Sequence, residues 1–196
     1  MQGQTFIFFG IVGSGKGTQV KLLMDVFKKQ TGFECVYVGT GEIFRKILES
    51  SSDNFDTQAV KDIVHSGRLM PDEMTNKLVS DAVLNLPQEK CVVFDGYPRT
   101  INQSEYFTEL MSSLNRTNIK IIYIELSKEE AMKRNLLRGR ADDTVEGLNK
   151  RFDEYVNNVI PSMDYFKGKF GYEILTINGE QTVEQVHNDI IKALNF

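Results

Sequence analysis

Apolar residues gather along this chain in five short runs: Thr5–Phe9, Glu34–Val38, Cys91–Phe94, Ile119–Ile124 and Tyr172–Ile177. Three are nearly continuous, as strands are when helices cover both faces of their sheet, and their alternation with helical segments predicts a parallel sheet. Between the runs the hydrophobic period lengthens. After Lys16, residues Val20, Leu22, Leu23, Val26 and Phe27 recur at the spacing of a core-facing helix. Ser127-Lys128-Glu129-Glu130 has the form of a capping box opening a helix to about Arg138, and Thr182-Val183-Glu184-Gln185 opens the last helix in the same way. A long helix is predicted from about Val145 to Lys167, bent or broken by Pro161. The pattern predicts an α/β domain whose five-stranded parallel sheet carries helices on both faces.

Two stretches interrupt this rhythm. From about Gly39 to Met70 the pattern gives short helices around Ile43–Leu48 and Thr57–Val64, joined by the polar surface turn Ser50-Ser51-Ser52-Asp53-Asn54. The second, around Arg138–Thr144, is short and highly charged. Both follow the carboxyl ends of strands, where open α/β sheets bind ligands.

Composition narrows the options. The 196 residues, 41% hydrophobic, suffice for one domain with small insertions. The 27 acidic against 23 basic residues, a formal charge of −4, lack the basic footprint of a nucleic-acid binder. Cys35 and Cys91 each sit in an apolar run and read as buried thiols; with no C-x-x-C pair, a structural zinc knuckle is not expected. The start lacks the charged-then-apolar form of a signal peptide, and no apolar run is long enough to span a bilayer, so the expected location is cytoplasmic with no membrane partner. His65 and His187 look like ordinary helix residues.

The first strand leads into Gly10-Ile11-Val12-Gly13-Ser14-Gly15-Lys16-Gly17-Thr18-Gln19. Strand, glycine-rich turn, lysine and helix in that order build an anion cradle from backbone N–H groups and one mobile cation. The spacing fits the P-loop pattern up to its last position, where Gly17 replaces the usual Ser or Thr; a glycine-rich turn that binds nothing is the bland alternative. Thr40, after the second strand, could be a plain helix cap. Asp95, ending the third strand, is placed to orient magnesium-bound water or simply to cap a loop. Arg99 follows the stiffening Pro98 and suits bidentate phosphate binding. Arg134, Arg138, Arg140 and Arg151 could form a solvated charged face, but four planar forks in an otherwise lysine-rich, acidic chain point to phosphate oxygens. Asp142 and Asp143 follow directly and could pair with those arginines.

These strings together resemble the adenylate kinase family of nucleoside monophosphate kinases over nearly the whole chain. The carriers are Gly13–Gln19, Thr40-Gly41-Glu42 with Arg45, Gly67-Arg68-Leu69-Met70-Pro71-Asp72-Glu73, Asp95-Gly96-Tyr97-Pro98-Arg99-Thr100 with Gln103, and Gly139-Arg140-Ala141-Asp142-Asp143 with Arg151. The resemblance implies a P-loop NTPase three-layer sandwich, with a core of 1–38, 71–137 and 145–196, a nucleoside-monophosphate-binding insertion at 39–70 and a minimal lid at 138–144. It implies that Gly13, Ser14, Gly15, Lys16, Gly17 and Thr18 hold the ATP phosphates, that Arg134 stacks on the ATP adenine, and that backbone at Gln181 meets that base. Thr40, Arg45, Arg68, Leu69, Met70, Gly96, Tyr97, Pro98, Arg99 and Gln103 are implied to receive AMP. Lys16, Arg99, Arg138, Arg140 and Arg151 would neutralise the charge of the phosphates in a closed state, with Asp95 in the outer shell of the ATP-bound Mg2+. The implied partners are ATP, AMP and ADP, the implied state a monomer. Val12 departs from a common proline, and Gly39 from the usual serine; Gly17 is normal in the family. Arg138-Gly139-Arg140 is tighter than the family's short lid, and its lack of cysteine excludes the zinc-bearing long form. The alternatives are a UMP/CMP kinase on the same scaffold, or a catalytically silent nucleotide-binding protein. A GTP switch is weaker, since no N-K-x-D string occurs.

Overall fold

The structure, a computed structural model, describes residues 3–49, 63, 69–139 and 143–196; the side chains of 45 and 47–49 are outside that description. In chain order the elements are β1 (Thr5–Gly10), α1 (Lys16–Thr31), β2 (Val36–Gly39), α2 (Thr40–Glu49), α3 (Asp72–Val83), β3 (Val92–Asp95), α4 (Ile101–Ser113), β4 (Ile119–Glu125), α5 (Lys128–Arg138), α6 (Val145–Glu154), a π-helical turn (Tyr155–Val159), α7 (Ile160–Asp164), β5 (Tyr172–Asn178) and α8 (Val183–Ala193). Ile43–Leu48 falls inside α2, whereas the turn at 50–54 and most of the helix predicted at 57–64 lie outside the described residues.

The five strands form one sheet in the order β2-β3-β1-β4-β5, every pair parallel. Alternation along β1 builds the two cores. Ile7 and Phe9 join Val79, Val83, Phe107, Met111, Met163 and Phe166 on the side of α3, α4 and α7. Phe6 and Phe8 join Val20, Leu23, Phe27, Val186 and Ile190 on the side of α1 and α8. Helix, sheet and helix thus make three layers. β1 lies between β3 and β4, so the chain turns to opposite sides of it; the crevice beyond its carboxyl end is the switch point where such sheets bind ligands.

Two local expectations need correction. Cys35 and Cys91 are buried but are not thiols; they form a disulfide, with Cα atoms 4.4 Å apart. The register Val36↔Val92, extended back one residue, sets them opposite each other on adjacent strands. Ser127 caps α5 by accepting from Glu130 N–H, but Glu130 does not close the box. Its carboxylate takes Arg134 at 2.8 Å, and Ser127 N–H goes to Glu180 from across the sheet end. The box at Thr182 and Gln185 is complete.

The disulfide closes a loop spanning 56 residues of sequence. Reduction is expected to lower stability by about 2–4 kcal/mol, because the unfolded chain regains the freedom the cross-link removes. Urea unfolding with and without dithiothreitol checks this; coincident midpoints would show that the bond contributes nothing.

Candidate active site

β1 ends in a turn that only glycine tolerates at two places: Gly13 and Gly15 have φ of 88° and 87°. Gly13 is also hemmed in from behind, since a Cβ there would meet Asn135 Nδ2 at 2.4 Å. Asn135, fully buried on α5, donates to Val12 O at 3.0 Å and to Ala131 O at 2.7 Å. The helix that carries Arg134 and Arg138 therefore buttresses the glycine-rich turn. α1 begins at Lys16 with no acidic side chain in its first turn, leaving its N–H groups and positive dipole end for an anion.

The Lys16 side chain folds back over the turn, donating to Gly10 O at 2.6 Å and Ile11 O at 3.0 Å. Burial lowers its pKa to about 8; nearby Arg99 and Arg138 act in the same direction, and Asp95 opposes them. A cation held this far below its ordinary range has lost more to burial than the one nearby carboxylate returns, which is the state a phosphate would relieve.

Beyond the ends of β1 and β3 lies a cavity of about 310 Å³. Lys16, Arg99, Arg138 and Arg151 all line it, with Thr40, Leu69, Met70, Gly96, Pro98 and Gln103. Among the walls that sequence reasoning missed are Phe44, Thr75, Tyr155 and Val159, and one acidic residue, Glu154. Phe44 and Tyr155 have the apolar spacing of ordinary core positions, so only the fold reveals their second role. Thr40 donates to Gly96 O at 2.7 Å, tying the start of α2 to the loop after β3. Arg99 is braced by its own Nε–H to Gly96 O at 2.6 Å, and its backbone N–H by Gln103 Oε1 at 2.8 Å. The Gln103 amide donates onward to Asp72 at 2.8 Å.

Arg138 forks onto Asp143 through two bonds of 3.0 and 2.8 Å, and Arg151 reaches the same carboxylate at 3.3 Å. The Asp143 side chain is fully buried, and among the described residues both Arg138 and Arg151 reach it at the cavity wall. Both guanidiniums are thereby pre-aimed at fixed positions.

Tyr97 turns away from the cavity: its ring is buried in the core, its hydroxyl donates to Asn76 Oδ1 at 2.6 Å, and burial pushes its pKa well above the usual phenol range. Arg134 and the Gln181 loop form a second cluster at the end of β5. Arg134 pairs with Glu130 and donates to Gly179 O at 3.0 Å, while Gln181 Nε2 donates to Asn178 O and to Asp189. Arg68 and Arg140, and the side chain of Arg45, lie outside the described residues, as does Asp142.

Comparison with known proteins agrees with this arrangement. Residues 8–170 match the family model described as adenylate kinase. The chain is 35% identical over 185 residues to an adenylate kinase of Prochlorococcus marinus (strain AS9601), covering 94% of each. It is 30% identical over 193 residues to an adenylate kinase of Parabacteroides distasonis, covering 96% of each, and 31% identical over 193 residues to one of Bacteroides fragilis (strain YCH46), covering 96% of this chain and 97% of that one. With a family model matched over residues 8–170 and relatives above 30% identity along nearly the whole length, the chain belongs to the adenylate kinase family.

Proposed function

We propose that this chain transfers the terminal phosphoryl group of MgATP to AMP, reversibly, giving two ADP. The observation that carries the reading is the convergence of Lys16, Arg99, Arg138 and Arg151 on one cavity, above a helix whose own first turn carries no acidic residue. Phosphoryl transfer has a loose transition state, so the protein's work is alignment and charge neutralisation. Lys16 would leave the carbonyl oxygens of Gly10 and Ile11 for the transferring group. Arg99, held by Gly96 and Gln103, would grip the AMP phosphate. Arg138 and Arg151 would share Asp143 with the phosphates as the lid comes down, joined by Arg140. An AMP phosphate is already an oxyanion, so no side-chain base is needed.

The ATP phosphates would rest on Gly13 to Thr18, the adenine of ATP between Arg134 and the Gln181 loop. AMP would lie against Thr40, Leu69, Met70 and the Gly96–Arg99 loop, with Arg45 and Arg68 toward its phosphate and ribose, and Gln103 presenting its amide to the base. Asp95 fits an outer-shell role toward magnesium. Its carboxylate is a hard oxygen donor beside the glycine-rich turn, 3.8 Å from where a Cβ on Gly17 would sit. The ion itself would be held mostly by nucleotide and water. When bound, magnesium neutralises phosphate charge. Water exclusion would fall to the 39–70 insertion and the 138–144 lid, closing over AMP and ATP respectively. We take the protein to act as a cytoplasmic monomer without nucleic acid or membrane; among the described residues, no helix is long and apolar enough to cross a bilayer.

Thr40 and Gln103 favour adenine at the acceptor site over the pyrimidine acceptors of UMP/CMP kinases. Initial rates with ATP against AMP, UMP, CMP and GMP are expected to be highest with AMP. A preference for UMP or CMP would reassign the acceptor, and no turnover with any of them would favour a silent nucleotide-binding protein.

A further inference from the structure

The hydroxyl of Tyr37 lies 3.2 Å from Oδ2 of Asp95 and donates to it. It gets there because of what β2 lacks. Tyr37 and Gly39 are two apart on a strand and share a face. Gly39 is the register partner of Asp95. The tyrosine ring runs forward along its own strand, over Gly39, to the carboxylate on the neighbouring one. A Cβ on Gly39 would stand 2.2 Å from the phenol oxygen and 2.3 Å from the carbon that bears it. Gly39 has no positive φ, so the backbone would accept a side chain; the space is taken by the ring. Tyr37 is 37% exposed, which is too open for core packing alone to fix its tip.

We propose that Tyr37 is a positioning residue for the magnesium–nucleotide complex. Its O–H ties down one carboxylate oxygen of Asp95 and so fixes the rotamer through which Asp95 would hold the waters of the bound ion. Gly39 is bare so that the tyrosine can lie there. The inference rests on the outer-shell reading of Asp95 given above. It adds two residues from β2 to the site described above.

Two substitutions break the bond from opposite ends. Tyr37→Phe keeps the ring and removes the donor. Gly39→Ala keeps the phenol and evicts it. Equilibrium binding of ATP, without AMP and therefore without transfer, is measured once with Mg2+ and once with EDTA, for each variant and for Asp95→Asn. Both β2 variants should reduce the Mg2+-dependent part of ATP affinity by about five- to tenfold, the scale of an ordinary net hydrogen bond as expected for one at a partly exposed side chain, with metal-free affinity and the KM for AMP unchanged. In the Asp95→Asn background, Tyr37→Phe should have no further effect. If Asp95→Asn lowers the Mg2+ dependence but Tyr37→Phe does not, the positioning role is wrong and the outer-shell reading stands. If Asp95→Asn itself leaves that dependence intact, both fall. Equal losses with and without Mg2+ would make Tyr37 a structural residue only.

Discussion

Lys16→Met is expected to remove phosphoryl transfer and leave the fold standing. Methionine has a similar reach and an apolar stem, so the packing at the start of α1 survives. The native ammonium is already poorly solvated, with burial lowering its pKa to about 8, and its loss relieves a desolvated charge. What disappears is the cation proposed above to meet the group in flight. Electrostatic groups of this kind contribute on the order of a thousandfold, ~4 kcal/mol. Steady-state rates beside thermal unfolding curves separate the two effects; near-normal turnover would remove Lys16 from the chemistry.

The same lysine gives a pH signature with a definite sign. In the free protein it loses its proton near pH 8 because burial disfavours the charged form. A bound phosphate favours that form and raises the pKa. Between those two values the complex holds more protons than its separated parts, so ATP affinity falls as pH rises through about 8. Below that, Lys16 is charged in both states and this contribution is flat. Calorimetric titration in buffers of different ionisation enthalpy should detect proton uptake on ATP binding near pH 8, absent from Lys16→Met.

Arg138→Ala is expected to lower kcat by roughly a hundredfold or more, with a smaller change in the KM for AMP. The side chain is only about one-third exposed (32%), and its fork is held on a carboxylate that is itself fully buried. Asp143 keeps Arg151 at 3.3 Å after the truncation, so no buried charge is stranded and the helix ends should hold. Arg138→Lys should recover little, because a point charge cannot engage Asp143 and a phosphate in one plane. An unchanged rate for the alanine variant would return Arg138 to the solvated surface.

Much of this was legible in the residues. All five strands were placed within two residues at each end, because buried parallel strands leave unbroken apolar runs that local pattern detects. Lys16, Arg99, Arg138 and Arg151 could be assigned to one pocket through the family resemblance that their motifs carry, with Arg138 and Arg151 in the last turns of their helices. Pairing was not legible. Nothing local says that Cys35 faces Cys91, which depends on the register of β2 against β3. Nothing local diverts Glu130 from its cap to Arg134, or brings Glu180 to replace it. Asn135 offered a faint signal, a polar residue inside a helix flanked by leucines and arginines, but its target, Val12 O, is 123 positions away. Tyr37 gave none, since its partner belongs to another strand and its seat is an absence.

The sequence predicts that Pro161 bends or breaks the helix; the rod from Val145 to Asp164 instead runs through it and widens into a π-helical turn just before. Proline offers no N–H to the carbonyl four residues back, and Ile160 N–H bonds instead to Tyr155 O, five back. In an uninterrupted α-helix Phe152 and Met163, eleven positions apart, would point the same way. Here Phe152 packs beside Ile11 and Leu148, while Met163 packs into the core under β1 and α4. The wide turn works as a gear between two meshes. It lets one rigid shaft present Arg151 to the nucleotide crevice and still lock its far end against Ser104 through Ser162. A straight replacement would have to forfeit one engagement, since seating the far end would swing the arginine about a quarter turn out of the crevice.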